Sequence, residues 1–133
     1  MARVVSGIRP TGKLHLGNYF GAVKNFLKMQ EEHDCFFFIA DIHSLTTHPI
    51  PGDLHANVHQ VLAEHLAMGV DPEKCALFVQ SDVPAISELY TYMNMNAYMG
   101  ELERSTSFKD KIRSQKENVN AGLLTYPVLM AVD

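Results

Sequence analysis

C-F-F-F-I-A-D-I-H-S, running from Cys35 to Ser44, decides the architecture. Cys35 to Ala40 is an unbroken apolar run of strand length, which suits a strand covered on both faces, as in parallel sheets. It ends in Asp41-Ile42-His43-Ser44, where polar side chains emerge at the carboxyl end of that strand. His43 there either faces a ligand or makes a loop hydrogen bond. Upstream, Val4–Val5 is a short strand, and from Asn18 the residues Tyr19, Phe20, Val23, Phe26 and Leu27 recur at helical spacing. Downstream, Pro49, Pro51 and Gly52 mark a loop, with Asp53 as the candidate N-cap of a helix striped by Leu54, Val58, Val61, Leu62 and Leu66. Gly69 and Pro72 close that helix, and Cys75 to Gln80 forms a third strand. Strand–helix–strand–helix–strand with short connections specifies an α/β fold: a Rossmann-like parallel sheet with flanking helices, over residues 1–83. Ligands in such sheets bind outside the carboxyl ends of the strands.

One of those ends opens into S-G-I-R-P-T-G-K-L-H-L-G-N-Y-F-G, Ser6 to Gly21. Four glycines lie in it, together with His15 and Asn18 three residues apart around what reads as a helix start. Backbone N–H groups and the helix dipole favour an anion at such a place. Gly7, Gly12 and Lys13 match part of the phosphate loop G-x-x-x-x-G-K-[ST], but Leu14 occupies its Ser/Thr position, so that motif fails.

Residues 84–133 have a different character. After Pro84 a third helix carries Ile86, Leu89, Tyr90, Met93 and Ala97 on one stripe. Glu101 to Lys116 mixes both charge signs and is expected as a solvated or partner-facing helical hairpin. Ala121 to Asp133 is strongly apolar, is expected as a buried helix, and stops without a capping residue, which leads us to expect the front part of a longer protein. Tyr126, Met130 and Asp133 share one face of it at i, i+4, i+7. Asp133 is either a carboxylate that caps or pairs at a helix end, or the acceptor at the floor of a pocket with an aromatic and a thioether wall. Such a pocket suits a flat apolar ligand with a single N–H, such as an indole.

Composition narrows the classes. The 133 residues are 47% hydrophobic and 20% charged with a net charge of −4, so a main basic footprint for nucleic acid is not carried here. Cys35 and Cys75 sit in apolar runs and read as buried free thiols of a reducing compartment. No stretch approaches the length of a membrane span, no apolar leader opens the chain, and a cytoplasmic location is expected. His55 and His59 are four apart on a helix but lack the Glu of the zinc-protease motif and a third ligand, so no metal site is expected.

The segment S-G-I-R-P-T-G-K-L-H-L-G-N-Y resembles the first signature of the tryptophanyl-tRNA synthetases, class I enzymes whose H-I-G-H box appears as x-x-G-N. The resemblance extends along the chain through D-I-H-S-L-T at 41–46, G-V-D-P at 69–72, F-V-Q-S at 78–81, G-E-L-E-R at 100–104 and G-L-L-T-Y-P-V-L-M-A-V-D at 122–133. It implies the amino-terminal part of a class I catalytic domain, a homodimer interface over residues 84–130, and a tryptophan-tRNA ligase acting on L-tryptophan, ATP with Mg2+, and tRNA(Trp). By the same resemblance Arg9, Pro10, Thr11, His15, Gly17 and Asn18 line the ATP site, with His15 and Asn18 catalytic. Val5, His43, Tyr126, Met130 and Asp133 surround the amino acid, Asp133 accepting the indole N–H. Arg9 stands where the family commonly has Gln, and Val5 where it often has an aromatic residue. The later G-x-D-Q segment, the K-M-S-K-S loop and the anticodon-binding domain lie outside these residues, so weak or absent aminoacylation is expected of them alone. A related nucleotidylyltransferase and a non-catalytic, dimer-forming nucleotide and amino-acid binder are the alternatives.

Overall fold

The apolar run at 35–40 forms the middle strand of a three-stranded parallel sheet, in a computed structural model that describes Met1–Asp133. Contacts divide the chain into two units, Met1–Ser44 with Pro49–Asp82, and Leu45–His48 with Val83–Asp133.

In the first unit, β1 (Arg3–Ile8) leads through a loop to α1 (Leu16–Asn18), a π turn (Tyr19–Val23) and α2 (Lys24–Met29). Then come β2 (Asp34–Ile39), α3 (Asp41–Ser44), α4 (Pro51–Ala67) and β3 (Cys75–Val79), which runs into a 3-10 turn at Gln80–Asp82. The order is β1-β2-β3, with Ser6 opposite Phe37 and Cys35 opposite Cys75. Alternation along β2 sends Cys35, Phe37 and Ile39 to one face, where they join Val23, Phe26, Val61 and Val70 in the core. Phe26 and Phe37 stack at 4.1 Å between ring centroids. On the other face Phe38 lies 5.8 Å from Phe78 and covers Gly7, where an added Cβ would stand 2.6 Å from the Phe38 ring.

Two local expectations are corrected. β1 does not stop at Val5 but continues to Ile8, because the six-residue ladder with β2 supplies backbone partners for Ser6, Gly7 and Ile8. Asp53 is not the N-cap of α4: Ile50 is, followed by Pro51. Pro suits the first helical position because its missing N–H would have been unbonded there anyway. Asp53 instead sits in the first turn, where a carboxylate favours the dipole. The other end of α4 is as expected: Gly69 adopts φ +104°, with Gly69 N–H bonding Leu66 and Val70 N–H bonding His65, a Schellman closure.

The second unit is helical: α5 (Pro84–Asn96), α6 (Met99–Arg104), α7 (Thr106–Ser114) and α8 (Ala121–Val132). Its small core comprises Leu102, Leu123, Val128 and Leu129. Asn120 caps α8, its Oδ1 accepting from Leu123 N–H at 3.2 Å while its Nδ2 donates to the Thr46 carbonyl at 2.9 Å. That bond explains why Leu45–His48 groups with this unit. Tyr90 Oη and Thr125 Oγ1, 2.5 Å apart, link α5 to α8. The expected buried terminal helix is α8, which buries Leu123, Val128 and Leu129 and leaves Met130 exposed. The α5 stripe has no buried member, and Leu89 and Met93 are exposed.

Candidate nucleotide-binding site

The carboxyl ends of β2 and β3 are tied by side chains. Asp41 Oδ1 accepts from the N–H of Ile42 at 3.0 Å and of Ser81 at 3.1 Å. The fully buried Gln80 accepts from His43 N–H at 3.4 Å, and Ser44 Oγ donates to the Ala40 carbonyl at 3.2 Å. His43 is therefore a packed residue, 3% exposed.

At the end of β1, Thr11 N–H donates to the Arg9 carbonyl at 3.0 Å, closing a tight turn around the buried Pro10. Gly12 follows at φ +120°, a conformation open to glycine at little cost. The loop then reaches Leu14, which packs against the core and whose N–H donates to Glu64 Oε2 at 2.9 Å. Glu64 Oε1 accepts from Gln60 Nε2 at 2.7 Å. These bonds, Gln60 first and Leu14 second, hold the Glu64 carboxyl below its usual range.

His15 is the N-cap of α1. Its Nδ1 accepts from Gly17 N–H at 3.0 Å, and its own N–H donates to Asn18 Oδ1 at 3.0 Å, a reciprocal capping box. Gly17 is required by this arrangement, because a Cβ there would lie 2.9 Å from His15 Cε1. With Nδ1 accepting, the neutral ring carries its proton on Nε2, an assignment made from the bond. The exposed His15 thus offers a donor, as does the Asn18 amide nitrogen, at the start of α1. Arg9 and Lys13 add positive charge on the same loop. The arrangement can hold and polarise an anion. It supplies no carboxylate base.

His15, Gly17 and Asn18 are brought together by hydrogen bonds, and Arg9, Pro10 and Thr11 by the turn. Val5, also in the first unit, is 47% exposed on β1. In the second unit the Lys111 ammonium lies 3.7 Å above the ring of the half-buried Tyr126, while Met130 and Asp133 are exposed along and after α8. Asp41 was noted only as part of the polar end of β2, and Gln80 and Glu64 were not singled out from the sequence. Asp41 and Gln80 stand where polar residues follow apolar strands, a usable signal; Glu64 carries none that points to a loop 50 residues away.

The family of tRNA synthetases class I (W and Y) matches residues 1–133, and the chain belongs to it. A tryptophan–tRNA ligase of Porphyromonas gingivalis is 68% identical over 133 residues, 100% of this chain and 41% of that protein. One from Clostridium tetani is 50% identical over 130 residues, 98% of this chain and 38% of that protein. The chain thus spans about two fifths of the length of these curated relatives. A tryptophanyl-tRNA synthetase structure from Campylobacter jejuni, complexed with ADP and tryptophan, superposes with TM-score 0.90 at 41% identity over 100% of this chain and 41% of that one. A tyrosyl-tRNA synthetase from Archaeoglobus fulgidus shares the fold, with TM-score 0.78 at 20% identity over 99% of this chain and 42% of that one. The parallel three-stranded sheet with flanking helices is that of the class I catalytic domain.

Proposed function

We propose that this chain carries the nucleotide loop and amino-acid-binding residues of a tryptophan-tRNA ligase, activating L-tryptophan with ATP and then charging tRNA(Trp). The observation that carries this reading is the 68% identity to a tryptophan–tRNA ligase across all 133 residues. The tryptophan carboxylate attacks the α-phosphorus of ATP, the bond to the bridging oxygen breaks, and tryptophanyl-adenylate and pyrophosphate form. An ionised carboxylate needs no general base, which suits a loop of donors without an acid–base pair. Catalysis is then positioning and stabilisation of phosphate charge, with His15 Nε2–H and Asn18 as the donors. Arg9, Pro10, Thr11 and Gly17 shape the rest of the ATP contact. The resemblance assigns Val5, His43, Tyr126, Met130 and Asp133 to tryptophan. A buried acceptor rejects a ligand without the matching donor.

No three His, Cys, Asp or Glu side chains cluster in metal-binding reach. Mg2+ commonly keeps its waters and binds through substrate phosphates, and is assigned to ATP. The exposed Tyr92, Met93, Met95, Tyr98 and Met99 of the second unit support a homodimer through that unit. A cytoplasmic location fits the two buried free thiols, and no helix is long and apolar enough to cross a membrane.

Tryptophan-dependent ATP–pyrophosphate exchange tests the reading. In this chain completed by the remaining length of a ligase of its family, exchange with tryptophan and not with tyrosine is expected, falling at least about tenfold in His15→Ala through loss of one phosphate donor. Indifference to tryptophan overturns the assignment.

A further inference from the structure

The nucleotide loop is fixed at its start by the β1 ladder and the turn around the buried Pro10, and opens to solvent at Gly12. Around Gly12 the backbone stands at φ +120°, and no atom lies within 4 Å of where a Cβ would be. A loop of this kind keeps its shape only if its far end is also held. There, Leu14 N–H donates to Glu64 Oε2 at 2.9 Å, across a separation of 50 residues. Leu14 directly precedes His15, whose backbone and ring form the capping box.

The acceptor is itself held in place. Gln60, one turn earlier on α4, donates to Glu64 Oε1 at 2.7 Å, so one carboxylate oxygen is committed to the helix and the other to the loop. The same two bonds, with a smaller contribution from the nearby Lys13 charge, shift the carboxyl's pKa down. A bond to a charged acceptor is about twice as strong as one between neutral groups. The aliphatic side of Leu14 packs on the core, so side chain and amide restrain the same residue from different directions.

We propose that Glu64 is a positioning residue for the nucleotide loop, holding the Leu14 amide so that His15 enters the helix cap in register. The role rests on the ATP-loop reading above. Glu64 touches no substrate; it acts through Leu14 on His15.

The test compares Glu64→Ala with Glu64→Gln, whose amide oxygen has the reach to accept from Leu14. Two readouts are taken on this chain completed by the remaining length of a ligase of its family: exchange kinetics against ATP and tryptophan separately, and the hydrogen-exchange rate of the Leu14 amide. Glu64→Ala is expected to raise the KM for ATP by about tenfold and to speed Leu14 exchange by about tenfold, the loss of one hydrogen bond to a charged group. The KM for tryptophan should stay unchanged, and Glu64→Gln should recover most of both effects. Glu31→Ala, which removes the surface ion pair with Lys74, serves as the charge control and should leave the ATP KM unchanged. An unaltered ATP KM in Glu64→Ala, an equal rise for both substrates, or no recovery in Glu64→Gln overturns the positioning role while wild-type exchange keeps the ligase reading intact. Absence of tryptophan-dependent exchange in the wild-type protein overturns the ligase reading and this role with it.

Discussion

The two units treat the same kind of sequence in opposite ways. In the first, apolar stripes on α2 and α4 close over β2, and Phe37 has no exposed surface at all. In the second, the stripe on α5 buries nothing fully, and a groove of about 410 Å³ lined by Met93, Ala97, Leu102 and Val128 stays open beside it. Helical spacing of apolar residues thus says that a face exists without saying what covers it. A sheet of parallel strands is the difference: its ladder uses up backbone donors and acceptors and presents a broad apolar surface for helices to cover. Helices alone bury only what their mutual packing reaches.

That contrast can be broken most severely at Phe37. Phe37→Ala removes a ring stacked on Phe26 and should cost about 4 kcal/mol, measured by urea unfolding. Leu123→Ala in the smaller core should cost about 3 kcal/mol. A larger loss at Leu123 than at Phe37 would reverse the ranking of the two cores.

A smaller effect sharpens the first unit by pH. His65 is 1% exposed, with its Nδ1 2.7 Å from the Val61 carbonyl, and burial pushes its pKa down. The unfolded chain then binds a proton that the folded one resists. Stability is complete above the unfolded value of about 6.5 and falls as pH drops below it, toward the lower folded pKa. One proton sets a slope of at most about 1.4 kcal/mol per pH unit. Subtracting the stability profile of His65→Leu from that of the wild type should isolate this slope; superimposable profiles would show that His65 is not the group responsible.

The smallest effect belongs to the second unit's surface. Met95 is 80% exposed, so Met95→Ala should change unfolding free energy by no more than about 0.5 kcal/mol at dilute concentration. A loss of several times that amount which grows with protein concentration would mean that this face is covered by a second copy in solution.

Much of the first unit was legible in advance. The strand at 35–40, the stop at Gly69 and the polar cap at 15–18 rest on neighbours in sequence, and local chemistry is enough to read them. Less legible was the side each residue presents. Leu66 stood on the expected apolar stripe of α4, yet it is exposed while His65 is buried beside Phe26. One residue's rotation about a helix is a hundred degrees, and only the packed partner selects it.

By itself the sequence determined the alternation of strands and helices, the parallel character of the sheet and the glycine-rich loop that places His15 and Asn18 at a helix start. Each of these follows from residues within a turn or a strand of one another. Tertiary structure alone decided that Cys35 faces Cys75, that Gln30 accepts from Asp71 N–H at 3.0 Å while donating to the Gly69 carbonyl, and that Glu64 holds Leu14. Those pairs are separated by 40, 41, 39 and 50 residues. No local period encodes them; they form because hydrogen-bonding groups carried to the same place by the closing sheet and helices are costly to leave unpaired.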